Sequence, residues 1–343
     1  MKAEKDYIKT LVEEMCSAKG ESGGIQEVYF AACGGSLGAF YSACTFLKTE
    51  SETIKTELFN SNEFVHNTPR SLGEHSVVMV CSHGGDTPET VKAAEKARKA
   101  GATVIGMTYT PDSLLTQYCD YVVGYRFRTD IEESWEFDKP LVPVTIAVEI
   151  LNQTEGYSHY EEYWEGLDKI DSIIRNAQSQ IENRAARFAS TYKEEKMIYT
   201  MGSGASYGAA YIQSICIFME MQWINSACIH SGEYFHGPFE ITDRNTVFLI
   251  QISEGRTREL DERALKFLRK YAQKYEIVDA KELGICTIDG SVVDYFNQSL
   301  FTAVYDIYNY QLAESKKTSV VCKKIYVESR ILAHIFYYKG GSK

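Results

Sequence analysis

Glu220 and His236 are the residues whose types and spacing could move protons. They stand 236−220 = 16 positions apart, and a carboxylate and an imidazole are the side chains most readily tuned to exchange protons near neutral pH. His236 lies in Ser231-Gly232-Glu233-Tyr234-Phe235-His236-Gly237-Pro238, where Gly-Pro fixes the backbone just after the ring. Glu220 follows the apolar run "SICIFM" and would be poorly placed there without a polar partner or a cleft. Its neighbours Ile217, Phe218, Met219 and Met221 could supply the partly apolar setting that raises a carboxyl pKa. Glu233 could orient the histidine or cap a helix.

A twin of this stretch, Ser61-Asn62-Glu63-Phe64-Val65-His66, lies 236−66 = 170 residues earlier. Gly35-Ser36 precedes Ala205-Ser206 by 205−35 = 170, Glu50 precedes Glu220 by 220−50 = 170, and Ser82 precedes Ser253 by 253−82 = 171. Correspondences at one offset and in one order imply an internal duplication of an α/β unit, and 343 residues accommodate two domains. Glu50 and His66 repeat the spacing of 66−50 = 16. Glu50 is read as a relic of duplication that serves structure, while a pseudo-twofold relation of the copies would carry His66 toward the site.

The elements that must position these groups follow a parallel α/β pattern. Apolar runs over Glu27 to Ala32 and Ser76 to Cys81 suit buried parallel strands, with further strands expected over Thr103 to Tyr109 and Tyr121 to Tyr125. The second copy repeats them over Met197 to Met201, Ala227 to His230, Thr246 to Ile252 and Tyr275 to Asp279. Helical spacing of apolar residues after about residue 135 predicts a packed helical connector between the copies. The expected domains are 1–155 and 193–327, joined by a connector over 156–192 and followed by a tail over 328–343.

Two loops in the first copy follow buried strands and precede helices: Cys33-Gly34-Gly35-Ser36, and Ser82-His83-Gly84-Gly85-Asp86-Thr87. Each alone could be turn and cap chemistry. Together, at neighbouring strand ends, their hydroxyls and backbone N–H groups suit a phosphate, since ligands of open α/β sheets gather at the carboxyl ends of strands. Neither loop is a Walker or a G-x-G-x-x-G fingerprint, which disfavours a nucleotide and leaves a sugar phosphate.

Composition narrows the function classes. A net charge of −11 without a basic block argues against nucleic acid. No apolar run approaches the roughly 18 residues of a membrane span, and the start lacks the layout of a signal peptide. Nine scattered cysteines without a C-x-x-C pair suit reduced thiols in the cytoplasm rather than disulfides or structural zinc.

"CGGS", "SHGGDTPET" and above all "SGEYFHGPFEI" resemble the SIS (sugar isomerase) family over roughly residues 15 to 325. The chain is similar to the isomerase part of glucosamine-6-phosphate synthase, and more so to the fructosamine 6-phosphate deglycases, which cleave phosphorylated Amadori compounds of amino acids. The resemblance implies two tandem doubly wound SIS domains with parallel central sheets. It implies Glu220 as the catalytic carboxylate and His236 as the ring-opening histidine. Ser36, Ser82, His83 and Thr87 match sugar-phosphate contacts, with Cys33 at the loop start and Gly35 within it. Gly84 stands where the synthase pattern has a second serine, so one hydroxyl contact is absent. Lys324, or its neighbour Lys323, is the nearest match to the lysine that closes over the open-chain sugar.

The implied reaction yields glucose 6-phosphate and a free amino acid, with no metal and no organic cofactor, in a homodimer or higher homo-oligomer. The alternative within the fold is an aldose-ketose isomerase or deaminase acting on an amino-sugar 6-phosphate. A sugar-responsive regulator would need a helix-turn-helix domain for which the residues before the first copy leave no room. A glutamine-dependent synthase would need an amidotransferase domain with a leading cysteine, which the sequence lacks.

Overall fold

The computed structural model describes residues 5–20, 23–127, 130 and 132–318. Lys323, Lys324 and the tail over 328–343 lie outside the described residues. Helix α1 (Lys5–Gly20) leads into β1 (Glu27–Ala32), α2 (Gly34–Ala39), α3 (Tyr41–Glu50), β2 (Lys55–Asn60), α4 (Ser61–His66), β3 (Ser76–Cys81), α5 (Pro88–Lys99), β4 (Thr103–Met107) and β5 (Tyr121–Val123). Helices α6 (Leu141–Thr154) and α7 (Tyr160–Tyr192) come next. The second half contains β6 (Met197–Gly202), α8 (Tyr207–Ile212), a π-helix (Gln213–Met221), β7 (Asn225–His230), β8 (Val247–Ile252), α9 (Arg258–Tyr271), β9 (Lys274–Asp279) and α10 (Asn297–Lys316).

Two parallel sheets result, in the orders β2-β1-β3-β4-β5 and β7-β6-β8-β9. β1 and β3 are buried at every position, as continuous apolar runs require when helices cover both faces. One face of the first sheet presents Val28, Phe30, Val77 and Met79 to α1, α3 and α6, and the other presents Tyr29, Ala31, Val78 and Val80 to α5 and to Phe64 of α4. In the second sheet Ile198, Val247 and Leu249 pack toward α7 and α10, while Phe248, Ile250 and Ile252 meet α9. Each such apolar side chain contributes about 1.5–3 kcal/mol when fully buried. No helix among the described residues is long and apolar enough to cross a membrane.

Strand pairing corrects one sequence correspondence. Val28 pairs with Val77 in the first sheet and Ile198 with Val247 in the second, and 198−28 = 170 while 247−77 = 170. The offset therefore remains 170 through β8, and 252−82 = 170 makes Ile252 the counterpart of Ser82. Ser253, matched to Ser82 by residue type, corresponds instead to His83. The loops beyond keep the same offset: Gly85 and Gly255 both have positive φ, and Thr87 and Thr257 both precede a helix. Backbone register, not serine identity, fixes which residue emerges first from each strand.

Candidate active site

The two first-copy loops begin side by side, because Ala32 and Cys81, the last residues of β1 and β3, pair in register. Gly34 turns the chain sharply with φ +56°, as does its counterpart Gly204 with φ +56°, a conformation glycine adopts without a steric cost. Cys33 precedes α2 in extended conformation, and its sulfur accepts from Asn60 Nδ2 at 3.7 Å. Ser36 Oγ accepts from the ammonium of Lys139 at 2.8 Å. In the neighbouring loop, Ser82 Oγ and Thr87 Oγ1 share a hydrogen bond of 2.8 Å, so the Thr87 side chain does not cap α5. The start of α5 thus keeps its positive dipole end without a side-chain cap from Thr87.

His83 occupies an aromatic nest. Its ring stacks on Tyr109 with centroids 5.0 Å apart, lies 4.3 Å from the Phe127 centroid, and meets Tyr125 Oη through Nδ1 at 3.1 Å. The adjacent Gly84 leaves the loop without a second hydroxyl at that position.

Glu220 rides on the π-helix. Ile217 O accepts from Gln222 N at 2.9 Å, an i→i+5 bond, and Trp223 follows in left-handed backbone conformation with φ +59°. Short π segments occur frequently at functional sites, and a non-glycine residue at positive φ is uncommon. The helix crosses the first-copy loop, for Cys216 Sγ lies 3.6 Å from where a Cβ on Gly35 would stand. Glu220, half-buried, sits one turn further along.

His236 stands apart from these groups. It is exposed in a run of turns, with its backbone N–H donating to Glu233 O at 3.0 Å, and Glu233 is exposed as well. His66 is exposed at the end of α4. Glu50 joins the two halves instead, taking an ion pair from Arg256 at 2.7 Å and a hydrogen bond from Tyr295 Oη.

A cavity of about 170 Å³ opens between the first-copy loop and the π-helix, bounded by Gly35, Phe127, Trp135, Asp138, Lys139 and Met221 among others. Neither Glu220 nor His236 lines it among the described residues. Three of its polar residues escaped the sequence reading. Arg126 is buried with its guanidinium 3.6 Å from the Trp135 ring centroid, and burial lowers its pKa. Asp138 is buried, and desolvation pushes its carboxyl up to about 7 against the opposing pull of Arg126 and the Lys139 N–H. Lys139 has no carboxylate partner among the described residues. The available signal was "FDKP", a lysine directly before the proline that precedes α6, but it resembles an ordinary helix start.

The arrangement offers hydroxyls, one cation and a helix start at adjacent strand ends, with a carboxylate on the crossing helix. That set suits a phosphorylated polyol whose carbon-bound proton must be moved. Comparison with known proteins agrees. The SIS domain description matches residues 26–133. Fructosamine deglycase FrlB of Bacillus subtilis is 42% identical over 295 residues, covering 85% of this chain and 88% of that protein. The fructoselysine 6-phosphate deglycase of Escherichia coli is 25% identical over 276 residues, covering 80% and 78%. Among solved structures, a candidate phosphosugar isomerase of Salmonella typhimurium superposes with a TM-score of 0.89 at 42% identity, covering 93% of this chain and 95% of that one. The C-terminal domain of glucosamine-fructose-6-phosphate aminotransferase from Francisella tularensis, at 16% identity and a TM-score of 0.73, shares the fold. With a relative this similar matched along most of both chains, and with paired loops at the ends of adjacent parallel strands, the chain belongs to the SIS domain family.

Proposed function

We propose that the protein is a fructosamine 6-phosphate deglycase, which converts a phosphorylated Amadori compound and water to glucose 6-phosphate and a free amino acid. The observation that carries this reading is the 42% identity to a fructosamine deglycase over nearly the whole of both chains. The geometry supports it. Ser36, Ser82, Thr87 and the start of α5 would hold the phosphate, with Lys139 supplying the charge that an anionic ligand requires. Cys33, Gly35, His83 and Gly84 complete the two loops around it.

The substrate is a 1-amino-1-deoxyketose. His236 would open its ring by passing a proton between ring oxygen and anomeric hydroxyl. Glu220 would then remove a proton from C1 while O2 gains one, giving an enaminol with a C1–C2 double bond. Return of the proton to C2 leaves a C1–N double bond, and water adds at C1 to expel the amine. The substrate's own C2 carbonyl is the electron sink in the first transfer, and its nitrogen lone pair forms the C1–N double bond in the second. Lys324, outside the described residues, is the proposed closing lysine, and Glu233 the group that orients His236.

The duplicated strand order supports two tandem SIS domains, 1–155 and 193–327, with 156–192 as connector and 328–343 as tail. The exposure of His236, outside the cavity of its own chain, suits a homodimer in which it enters the partner's site. We place this dimer in the cytoplasm. Two experiments test the reading. Pure protein incubated with fructosyl amino acid 6-phosphates should release amino acid and hexose phosphate, and with glucosamine or galactosamine 6-phosphate it should release little. No turnover of any Amadori phosphate sinks the assignment. Mixed subunits of Glu220→Gln and His236→Ala should regain activity if sites are shared, and verified exchange without rescue refutes the sharing.

A further inference from the structure

The cavity beside the π-helix is not used by the proton transfers above, yet it touches all three parts of the site. Gly35 belongs to the first loop, Phe127 packs on His83 of the second, and Met221 follows Glu220. Most of its wall is apolar, built from Trp135, Ile212, Ile217 and Met221. Its volume of about 170 Å³ exceeds the roughly 30 Å³ share of one liquid water several times over.

The polar end is incomplete. Asp138 is only 6% exposed. Its Oδ1 accepts the Lys139 N–H at 2.8 Å, while Oδ2 makes no hydrogen bond of good geometry among the described residues, the Ser299 hydroxyl exerting only a weaker pull on the carboxyl than Arg126 and the Lys139 N–H. Thr302 Oγ1, on α10 across the cavity, also lacks one among the described residues. Arg126 does not complete Asp138: its guanidinium lies over the Trp135 ring, and its Nε donates to Glu133 O at 3.0 Å. Buried polar groups are normally satisfied, and a lone carboxylate oxygen is among the costlier exceptions. An acceptor at the end of an apolar pocket fits a nitrogen donor carried on a hydrocarbon frame, which is what an amino acid presents.

We propose that this cavity is the subsite for the amino acid part of the substrate, and that Asp138 Oδ2 accepts a hydrogen bond from a nitrogen of that amino acid. The proposal rests on the deglycase reading and adds to it the residues that set substrate choice. Arg126 stands beside Asp138 and would face the amino acid's carboxylate, while Lys139 remains with the phosphate loop through Ser36. The walls of Trp135, Ile217 and Met221 would take its carbon chain.

The test uses the full chain and three substrates, the fructosyl 6-phosphates of glycine, leucine and lysine, with fructose 6-phosphate as a competitive inhibitor that carries no nitrogen. Asp138→Asn should lower kcat/KM for the conjugates at least 10-fold and leave the inhibition constant of fructose 6-phosphate within 2-fold. Thr302→Leu, which fills the cavity from α10, should lower kcat/KM for the leucine and lysine conjugates at least 10-fold relative to glycine. This second variant decides the matter if Asp138→Asn fails to fold. The proposal is overturned if Asp138→Asn weakens fructose 6-phosphate as much as the conjugates or changes neither, or if Thr302→Leu affects all conjugates alike. Wild-type protein inactive on every conjugate overturns the deglycase reading itself, whereas active wild type with insensitive variants overturns the subsite alone.

Discussion

The loops after β3 and β8 share one backbone course and opposite chemistry. After β3 the chain emerges as Ser82, whose hydroxyl bonds the Thr87 hydroxyl at 2.8 Å and takes the Thr87 N–H at 3.4 Å, and the Thr87 side chain does not cap α5. After β8 the counterpart, Ile252, still belongs to the strand and is fully buried, and donors of the loop that follows are taken from within. Asp261 of α9 takes the Ser253 N–H at 3.1 Å and the Ser253 hydroxyl at 2.7 Å. Its counterpart, at 261−170 = 91, is Val91. Asp294 takes the Arg256 N–H at 3.0 Å in the same loop. A carboxylate that takes loop N–H and hydroxyl donors does what a bound anion would do. The second-copy loop is thus held by its own carboxylates, while the proposed role of the first-copy loop is to meet an external anion.

The carboxylates at the ends of the equivalent helices differ in the same way. Glu50 is spent on Arg256 and Tyr295, while Glu220 lies near the end of a π-helix that crosses the first-copy loop. The comparison is broken most directly by exchanging their roles. Glu220→Gln should lower kcat by about 10³-fold, the range of a lost general base, with fructose 6-phosphate affinity retained. Glu50→Ala should leave kcat within 2-fold and cost about 1–3 kcal/mol of stability, since it strands a buried hydroxyl and a guanidinium. Equal losses of turnover in both variants would show that the copies have not diverged in function.

A smaller effect separates the loops. Ser82→Ala and Lys139→Met should each raise KM about 10-fold, the scale of one lost hydrogen bond to a charged group. Ser253→Ala should leave KM unchanged and lower the thermal midpoint instead, because Asp261 loses the hydroxyl donor and keeps the Ser253 N–H. If Ser253→Ala raises KM, the second loop also holds ligand, and the distinction drawn from Asp261 is wrong.

Much of this scaffold was legible in the sequence. β1 and β3 appear as unbroken apolar runs because both their faces are covered. β2 did not, since an edge strand with alternating burial such as "KTELFN" carries charge on its open side. Among the candidate residues, the loops and the Glu220/His236 pair were suggested by motif and spacing, and the pair does not line the cavity among the described residues. Motif and spacing did not suggest Asp138, Lys139 and Arg126, because they converge from the turn before α6 and from the end of β5, and no periodicity marks a turn. The π-helix was equally hidden: "QSICIFMEM" has the composition of any buried helix, and its wider winding is settled by packing against the first-copy loop. The offset of 171 at Ser253 failed for a related reason, as residue type was allowed to outrank strand register.

The two buried carboxylates also set a dependence of stability on pH. Burial raises Asp138 from 3.8 to about 7, and raises Asp261 against the pull of its serine donors. Each folded-state carboxyl therefore holds its proton at pH values where the unfolded chain has released it. The unfolded state binds fewer protons in that window, so stability falls as pH rises. For Asp138 the window runs from the ordinary value of 3.8 to about 7, and the contribution is present in full below it. Asp138→Asn removes the titration, so the difference in thermal midpoint between wild type and variant should shrink or reverse in the variant's favour between about pH 4 and about pH 7. Asp261→Asn should show the same sign, beginning near the ordinary carboxyl range, while weakening the acceptor that now holds Ser253. A midpoint difference that stays flat across the window for Asp138→Asn would mean that the cavity carboxylate is ionised in the folded protein throughout, held by a cation rather than waiting for a donor.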